Sequence, residues 1–451
     1  MNDVTARQAP LGLLRILGLI FGLAVVVGGV IGSGIMRAPG LVAQGLSTTP
    51  MILAAWALGG VAAMLAAMPV VEAGSEVPLA GGPYPIAERA FGRTAGFFTG
   101  WMAWLAYAAS SAFISSVFGE YVHRLGLLPQ VSTHVLACGL IVSCAALNWI
   151  GTRVSGASQS VASALKGAFF VALILILFAS PRGPATPAHA TAAVTGVGAA
   201  IMAIRLIYQT YAGWDSAIYF SEEVHRPDRN VARATFAGIG LCAVIYVLVN
   251  AAALHVLPPA VMAGSDLPVG DAAKVSLGAA ADTVITAFGL FSLAAIVNLQ
   301  TMVATRVTFR MARDGALPTL LGKVSPGGTP RRSLALLVVV SLLFAATGGY
   351  ESIVKIYAPW TIGGILIICL ASIRLRYAEP DLVRPWRMPL FPWTAILASL
   401  MQASLIAVFA WDDPVDGLFS AVAVVAPIPI YLLLRSRWEA AAAREFGLAL
   451  R

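Results

Sequence analysis

The chain has 451 residues, of which 59% are hydrophobic and 11% are charged, and its formal net charge is +8. Soluble domains carry roughly 25% charged residues, so a soluble fold of this length would have too few charges to cover its surface. The basic residues lie mostly in short loops between apolar stretches, which argues against a nucleic-acid-binding protein and predicts an integral membrane protein.

Apolar stretches recur along the whole chain. A membrane-spanning helix needs about 20 mostly apolar residues, and segmentation on that length gives twelve spans. The spans are residues 13–45, 50–73, 94–122, 133–150, 158–180, 193–222, 232–257, 279–309, 333–348, 353–374, 391–411 and 416–435. The pattern predicts an all-α integral membrane protein with twelve transmembrane helices in a single domain, residues 1–451.

The loops between the spans differ in charge. If both termini are cytoplasmic, the cytoplasmic loops hold most of the arginines, including Arg226, Arg331 and Arg384, and the outer loops are acidic, as at Asp271 and Asp282. The positive-inside rule predicts this orientation. We therefore expect a multi-pass protein of the plasma (inner) membrane, with its function inside the helix bundle because no loop is long enough for a soluble domain.

No metal or cofactor site is predicted. The cysteines lie in apolar stretches, and neither they nor the histidines have the spacing of metal ligands. The sequence also lacks H-E-x-x-H, G-x-S-x-G and paired intramembrane aspartates, which argues against a membrane-embedded enzyme.

Two spans contain residues that break helices. The segment GVIGSGIM interrupts the first span, and YQTYAGWDSAIYF interrupts the sixth. Non-helical backbone at membrane depth must line a polar cavity or be buried in protein, although small residues also serve close helix packing. Two breaks in corresponding helices favour a 5+5 inverted repeat with discontinuous helices 1 and 6. The repeats would be residues 13–180 and 193–374, and residues 391–435 would form two extra C-terminal helices.

Each break also creates two half-helix ends of opposite partial charge. The N-terminal end of a half-helix attracts a carboxylate, and free carbonyls at the other end attract an ammonium group or a cation. The glycines at the breaks therefore predict a site where a zwitterion approaches the backbone.

Five segments resemble one transporter family. They are GVIGSGIMRAPG, EVPLAGGPYPIAERAFG, YAGWDSAIYFSEEVHRPDRNVARA, FRMARDGALP and RYAEPDLVRPWRMPLFP. In this order and spacing they resemble the amino acid–polyamine–organocation transporters, and most of all the L-type branch that includes the light chains of heteromeric amino acid transporters. The resemblance covers nearly the whole chain and implies a secondary transporter that works by alternating access.

The resemblance also implies roles for the residues at the two breaks. Backbone amides would hold the substrate carboxylate, backbone carbonyls would hold its ammonium, and the remaining residues would continue the break in helix 6. The amides are those of Ser33, Gly34 and Ile35; the carbonyls are those of Val30 or Ile31, Gln209 and Ala212; and the break continues through Gly213, Trp214 and Asp215.

Lys166 in the fifth span matches a family lysine whose ammonium replaces the sodium ion of sodium-coupled relatives, bridging helix 1 carbonyls to helix 8. A lone lysine in an apolar span is costly and usually functional, which also suggests a proton carrier. Asn298 is the expected polar partner. The alternative is that Lys166 snorkels to the cytoplasmic surface.

The chain departs from the family pattern at several positions. The position that usually carries an aromatic gate residue is occupied by Gln209, so Tyr208 or Tyr211 would have to cover the substrate. The outer loop HRLGLLPQVSTH has no cysteine, so no disulfide-linked heavy subunit is expected. Arg37 and Arg205 stand near the outward vestibule. They would either recognise an acidic side chain or face water, lipid headgroups and outer-face acids.

Glu222 and Glu223 follow the second break beside arginines 226, 229 and 233. They are interpreted as part of an inner gate, with a solvated charged surface as the alternative.

The function predicted from these residues is sodium-independent amino acid transport by exchange or proton symport. Neutral substrates come first, because the residues expected to face the pocket, Ala109, Ala112 and Ala295, are small and apolar. Acidic substrates are the alternative, and polyamines or cationic amino acids a lesser one. A channel or an amino acid sensor that kept the fold also remains open.

Overall fold

The structure is a computed structural model that describes residues 13–32, 34–183, 197–265, 267–347, 350–412 and 414–447. Within these ranges the regular secondary structure is helical, apart from one isolated parallel bridge between Leu17 and Val224. The predicted all-α class is confirmed.

The described part of the chain contains seventeen α-helices and two short 3₁₀ helices. The α-helices are α1 Leu19–Val30, α2 Gly34–Gly45, α3 Thr49–Glu76, α4 Pro83–Phe91, α5 Arg93–Arg124, α6 Thr133–Ile150, α7 Thr152–Ala179, α8 Val197–Thr210, α9 Pro227–Val256, α10 Pro259–Ala263, α11 Pro268–Leu277, α12 Ala280–Arg313, α13 Arg331–Thr347, α14 Tyr350–Ala378, α15 Trp393–Asp412, α16 Pro414–Val425 and α17 Pro427–Phe446. The 3₁₀ helices are Trp214–Phe220 and Thr319–Gly322.

Eight helical segments of the described chain are long and apolar enough to cross a membrane. They are α3, α5, α6, α7, α9, α12, the Tyr357–Ala378 part of α14 and the Gly417–Phe446 stretch of α16 and α17. The bent pair of α1 and α2 adds a ninth if it is counted as one span. An integral membrane protein is therefore confirmed. The full count of twelve and the inverted repeat stay predictions, because α8, α13 and the apolar part of α15 are shorter.

Both predicted interruptions are present as breaks in helices. The first helix ends at Val30, Ile31 turns into extended backbone, and α2 starts at Gly34 with its axis bent by 45°. The other break follows α8, which ends at Thr210, and Gly213 adopts the left-handed conformation, with φ of +103°. Glycine reaches this conformation without steric cost, which explains why the chain leaves the helix at that position.

The broken segments lie at the centre of the bundle. The helix α1 packs against α7, α9 and the 3₁₀ helix Trp214–Phe220, while α2 packs against α8. The long helices α5 and α12 pack against each other and against α6. The breaks are therefore enclosed by protein on most sides, as the cost of unpaired backbone in hydrocarbon requires.

Some predicted loops contain helices, and one predicted span is divided. The loop after α3 forms α4, and the loop after α9 forms α10 and α11. The predicted last span, residues 416–435, is divided at Ala426 because Pro427 cannot donate the next helical hydrogen bond, and α17 continues to Phe446.

Candidate substrate-binding site

A cavity of about 660 Å³ opens beside the two breaks. Its walls come from α1, α2, α5, α8, α12 and α14, with Leu405 contributed by α15. Residues of both breaks line it, including Gly29, Val30, Gly32, Gly34, Gln209, Ala212, Gly213, Trp214 and Asp215. Most predicted site residues are therefore brought together around one space, whereas Ser33 lies outside the described residues.

The two breaks touch through their glycines. A Cβ atom on Gly29 would come within 2.7 Å of the Gly213 carbonyl oxygen, and one on Gly213 would come within 2.7 Å of the Gly29 carbonyl oxygen. Side chains do not tolerate such distances, so this contact requires glycine on both sides.

The N-terminus of α2 faces the cavity at Gly34. The first N–H groups of any α-helix have no acceptor within the helix, and the helix dipole makes that end favourable for an anion. The amide of Gly34 therefore has the position and the polarity that a carboxylate needs, whereas Ile35 is fully buried and does not line the cavity.

The carbonyls at the other half-helix ends have partners within the protein. The Val30 oxygen accepts a hydrogen bond of 2.7 Å from the Tyr246 hydroxyl, and the Ile31 oxygen accepts one of 2.9 Å from Lys166. The Gln209 oxygen accepts from the Ala212 amide at 3.1 Å. The Ile31 oxygen also accepts from the Ser292 hydroxyl at 3.4 Å. A carbonyl oxygen has two lone pairs, so among the described residues the Val30 and Gln209 oxygens each keep one for a substrate ammonium.

Lys166 is fully buried and donates to two carbonyls of the first broken span. Its Nζ lies 3.0 Å from the Gly28 oxygen and 2.9 Å from the Ile31 oxygen. The predicted contact with helix 1 carbonyls is present, and the side chain does not snorkel. The prediction that Asn298 is the polar partner of Lys166 is wrong. Asn298 instead accepts a hydrogen bond from Asn148 at 2.9 Å and donates one to Gln159 at 3.1 Å.

An acidic side chain and two tyrosines lie together in the cavity. The carboxylate of Asp215 interacts with Tyr219, whose ring meets that of Tyr107 edge-on with centroids 5.5 Å apart. All three residues line the cavity, and Asp215 is 7% exposed. Trp214 is buried beside them and anchors the break.

The aromatic candidates for the missing gate differ in position. Tyr208 lines the cavity, and its hydroxyl accepts a hydrogen bond from Gln402 at 2.6 Å. Tyr211 is buried away from it, donates to the Trp56 carbonyl at 2.9 Å and packs against Tyr246. Of the two alternatives, only Tyr208 is placed to contact a substrate.

Arg37 and Arg205 both line the cavity, one turn and two turns from their respective breaks. Arg37 is exposed and lies close enough to Glu120 of α5 for their charges to interact. Part of its positive charge is therefore balanced by the protein.

The wall formed by α5 presents a different face from the one expected. Ala109, Ala112 and Ala295 are buried and do not line the cavity; Ala112 packs against Ala137 of α6. The lining residues of α5 include Ala103, Ala106, Tyr107 and Ser110. Gln300 of α12 donates to Ser110 at 2.9 Å and accepts from Ser111 at 3.0 Å, which joins the two walls.

The opposite side of the breaks is closed by ion pairs. Glu223 pairs with Arg306, and Glu222 pairs with Arg310, both on α12. Glu223 is fully buried, so a solvated charged surface does not describe it, and the partners of both glutamates come from α12. The backbone of Leu17 also donates to the Glu223 oxygen at 2.9 Å, which joins the chain before α1 to the same closure.

The sequence model of the amino acid permease family matches residues 11–432. The chain belongs to this family. The b(0,+)-type amino acid transporter 1 of Mus musculus is 29% identical over 413 residues, covering 88% of this permease and 83% of the relative. The serine/threonine exchanger SteT of Bacillus subtilis is 25% identical over 434 residues, covering 94% and 98%. The large neutral amino acids transporter small subunit 2 of Rattus norvegicus is 27% identical over 458 residues, covering 96% and 83%.

These matches confirm the resemblance drawn from the sequence. The permease is a multi-pass membrane protein of a transporter family and not an enzyme.

Three polar permease residues at or behind the site were not predicted from the sequence. Tyr246, Gln300 and Gln402 are polar residues in largely apolar helices, and each reaches the site or its lining across a helix interface. An intramembrane polar residue is by itself a pointer to function, and that signal could have singled out Gln300 and Gln402.

Proposed function

We propose that the permease moves neutral L-amino acids across the membrane by alternating access, without sodium, either by exchange or together with protons. The observation that carries this proposal is the cavity into which both helix breaks open. It offers the N-terminus of α2 for a carboxylate, and carbonyl oxygens with one lone pair still available for an ammonium. These are the two groups that all amino acids share.

Neutral substrates suit the chemistry of the walls. The lining of α5 and α14 is largely apolar, with Ala103, Ala106, Ile365 and Ile368 among its members. The acid of the site, Asp215, interacts with tyrosine hydroxyls. A charged substrate side chain would have to leave water for this surface, whereas a neutral one loses little on entry.

The contacts of Lys166 support independence from sodium. Its ammonium donates to the Gly28 and Ile31 carbonyls, which are the kind of groups that would otherwise coordinate a cation. An ammonium group at this position disfavours a sodium ion there. Proton symport would be compatible with the buried lysine, and exchange requires no coupling ion.

Acidic amino acids are the second candidate, because Arg37 and Arg205 both line the cavity. A guanidinium group binds a carboxylate well in this setting. The neighbouring charge of Glu120 on Arg37 weakens this alternative. Cationic substrates have less support, since Asp215 is the acid of the lining.

The experiment is uptake by purified permease in liposomes. Labelled alanine, leucine, glutamate and arginine are tested with and without sodium, a pH gradient and internal amino acids. The proposal expects alanine or leucine uptake that is unaffected by sodium. Glutamate as the sole substrate would favour the alternative instead, and an absolute sodium requirement would contradict the role given to Lys166.

The proposed layout is a 5+5 inverted repeat of twelve transmembrane helices in the plasma (inner) membrane with both termini cytoplasmic. The arginine-rich loops support this orientation. Cys138, Cys144, Cys242 and Cys369 are free and lie in α6, α9 and α14, which is compatible with a permease that has no disulfide-linked heavy subunit.

A further inference from the structure

Gln402, which lies outside the cavity, forms a hydrogen bond with Tyr208, which lines it. Gln402 of α15 donates from its Nε2 to the Tyr208 hydroxyl oxygen at 2.6 Å. Tyr208 belongs to α8 and lines the cavity, whereas Gln402 is fully buried behind it. Through this bond α15, which lies beyond the two proposed repeats, reaches the wall of the site.

Gln402 would be an unfavourable choice for the stability of the fold if its side chain served only to fill space. Its Oε1 is buried and has no hydrogen-bond partner among the described residues. A buried acceptor without a partner costs free energy, and a leucine of similar volume would avoid that cost. The amide therefore calls for an explanation other than the stability of the fold.

The bond determines what the Tyr208 hydroxyl can do. A phenol has one hydrogen to donate and an oxygen that accepts. Gln402 occupies the oxygen as a donor, and within the described chain the hydrogen of Tyr208 has no acceptor. Tyr208 is thus held as a donor whose hydrogen remains available to a molecule in the cavity.

The position of this donor suggests which part of a substrate it meets. The Tyr208 hydroxyl extends toward α15, and Trp360, Ile365 and Leu405 of α14 and α15 line the same cavity. The half-helix ends that suit the carboxylate and ammonium belong to α1, α2 and the break after α8. The hydroxyl therefore lies away from the groups common to all amino acids and toward the space left for a side chain.

We propose that Tyr208, positioned by Gln402, is a side-chain subsite that donates a hydrogen bond to a hydroxyl or amide oxygen of the substrate. The permease would then prefer small polar neutral amino acids over apolar ones of the same shape. This inference rests on the proposed transport of neutral amino acids and adds the class of side chain.

Threonine and valine test this preference because they have nearly the same shape and differ by one hydroxyl. We expect the KM for threonine to be roughly threefold to tenfold below that for valine, the effect of one hydrogen bond. Tyr208→Phe and Gln402→Leu should each remove the difference by raising the KM for threonine alone. The double variant should do no more than either single one, because the two residues act as a unit.

A merely structural role for Gln402 is separated by two further measurements. Gln402→Leu should unfold at a temperature equal to or above that of the unmodified permease, since it removes a buried unpaired oxygen. Gln44→Leu is the matched control, because Gln44 donates to the Ala263 carbonyl at 2.8 Å outside the cavity. It should leave the threonine preference unchanged.

The outcomes distinguish failure of the Tyr208 subsite from failure of the proposed transport of neutral amino acids. Equal KM values for threonine and valine in the unmodified permease, or variants that weaken both substrates alike, would overturn the subsite and leave neutral amino acid transport standing. Additive effects of the two substitutions would also overturn it. No uptake of any neutral amino acid would overturn the proposed function and the subsite together.

Discussion

Arg306 of α12 donates to both carboxylate oxygens of Glu223, at 2.8 and 2.9 Å, and neither side chain is more than 1% exposed. The same guanidinium donates to the Thr152 hydroxyl of α7 at 3.1 Å and lies over the Phe220 ring. One buried pair thus joins α7, α12 and the segment after the second break. We propose that it keeps closed the side of the permease that lies opposite the cavity.

Removing one charge of this pair should open that side. Glu223→Gln leaves Arg306 buried without its counter-charge, and breaking a buried pair costs about 3–5 kcal/mol. Leu17, whose backbone pairs with Glu223, should then become accessible. In a cysteine-free background carrying Leu17→Cys, a thiol reagent applied from the cytoplasmic side should label the Glu223→Gln variant faster.

The control for this experiment is Glu445→Gln, because Glu445 pairs with Lys323 at 2.6 Å on the exposed surface. Exposed pairs contribute about 0–1 kcal/mol, so labelling should not change in that variant. Equal labelling rates in all three proteins would contradict the role of the Glu223–Arg306 pair as the inner closure.

The contact between Gly29 and Gly213 gives a second prediction. Gly213→Ala places a methyl group 2.7 Å from the Gly29 oxygen and also strains a φ of +103°, so the breaks must separate. We expect this variant to lose uptake by at least tenfold. Gly278→Ala is the matched control: its φ is +58°, but its Cβ would meet nothing within 4 Å.

Gly278→Ala should lower stability by about 1–3 kcal/mol, because its φ of +58° and ψ of −142° lie in a region that is essentially restricted to glycine, and it should retain uptake. A Gly213→Ala variant with full uptake would mean that the close approach of the two breaks is not needed for transport.

Lys166 gives a third prediction. Lys166→Gln removes the charge that two carbonyls of the first broken span accept. Hydrogen bonds to charged groups contribute about 1.5–3 kcal/mol each, so uptake should fall by at least tenfold, whether or not sodium is present. Lys323→Gln, on an exposed pair, should behave like the unmodified protein. Unchanged uptake in Lys166→Gln would remove the lysine from the mechanism.

The stability of the permease should depend on pH through Glu88 of α4. Burial, assisted by the charge of Asp314, raises the pKa of Glu88 above its ordinary value of 4.5. A raised carboxyl pKa in the folded state contributes stability at low pH, which is lost as the pH rises through the folded value. Glu88→Gln should therefore gain in melting temperature over the unmodified protein from about pH 4 to about pH 8.

Glu379 provides the control of opposite sign for that prediction. Its hydrogen bond with Arg89 holds the pKa of Glu379 below its ordinary value. The stability it contributes is present above the unfolded pKa and is lost as the pH falls through the folded one. Glu379→Gln should lose slightly in melting temperature near neutral pH and match the unmodified protein in acid. The same pH response in both variants would contradict the assignment.

The sequence predicted those features that depend on neighbouring residues. Hydropathy marks the long helices, and the glycines of GVIGSGIM and YQTYAGWDSAIYF mark both breaks, because helix formation and helix breaking are local. It also predicted the contact of Lys166 with helix 1 carbonyls, through a family pattern rather than through physics. Most residues that line the cavity followed from these two signals.

Other features depend on how each helix is rotated against its neighbours, which single positions do not reveal. Ala109 was expected in the cavity, yet Ala106 and Ser110 line it, since small residues occur on more than one face of α5. The partner of Glu223 is Arg306, 83 residues later, which the neighbouring sequence does not indicate. Likewise, Asn298 bonds to Asn148 and Gln159 because these helices meet only in the folded bundle.

We propose that the two helix breaks hold the carboxylate and the ammonium of an amino acid. Counterflow of labelled alanine into liposomes preloaded with alanine tests it, with three unlabelled competitors outside. We expect alanine to compete, whereas alaninamide, which lacks the carboxylate, and propionate, which lacks the ammonium, should not. Equal competition by alaninamide or propionate would contradict recognition of both groups at the breaks.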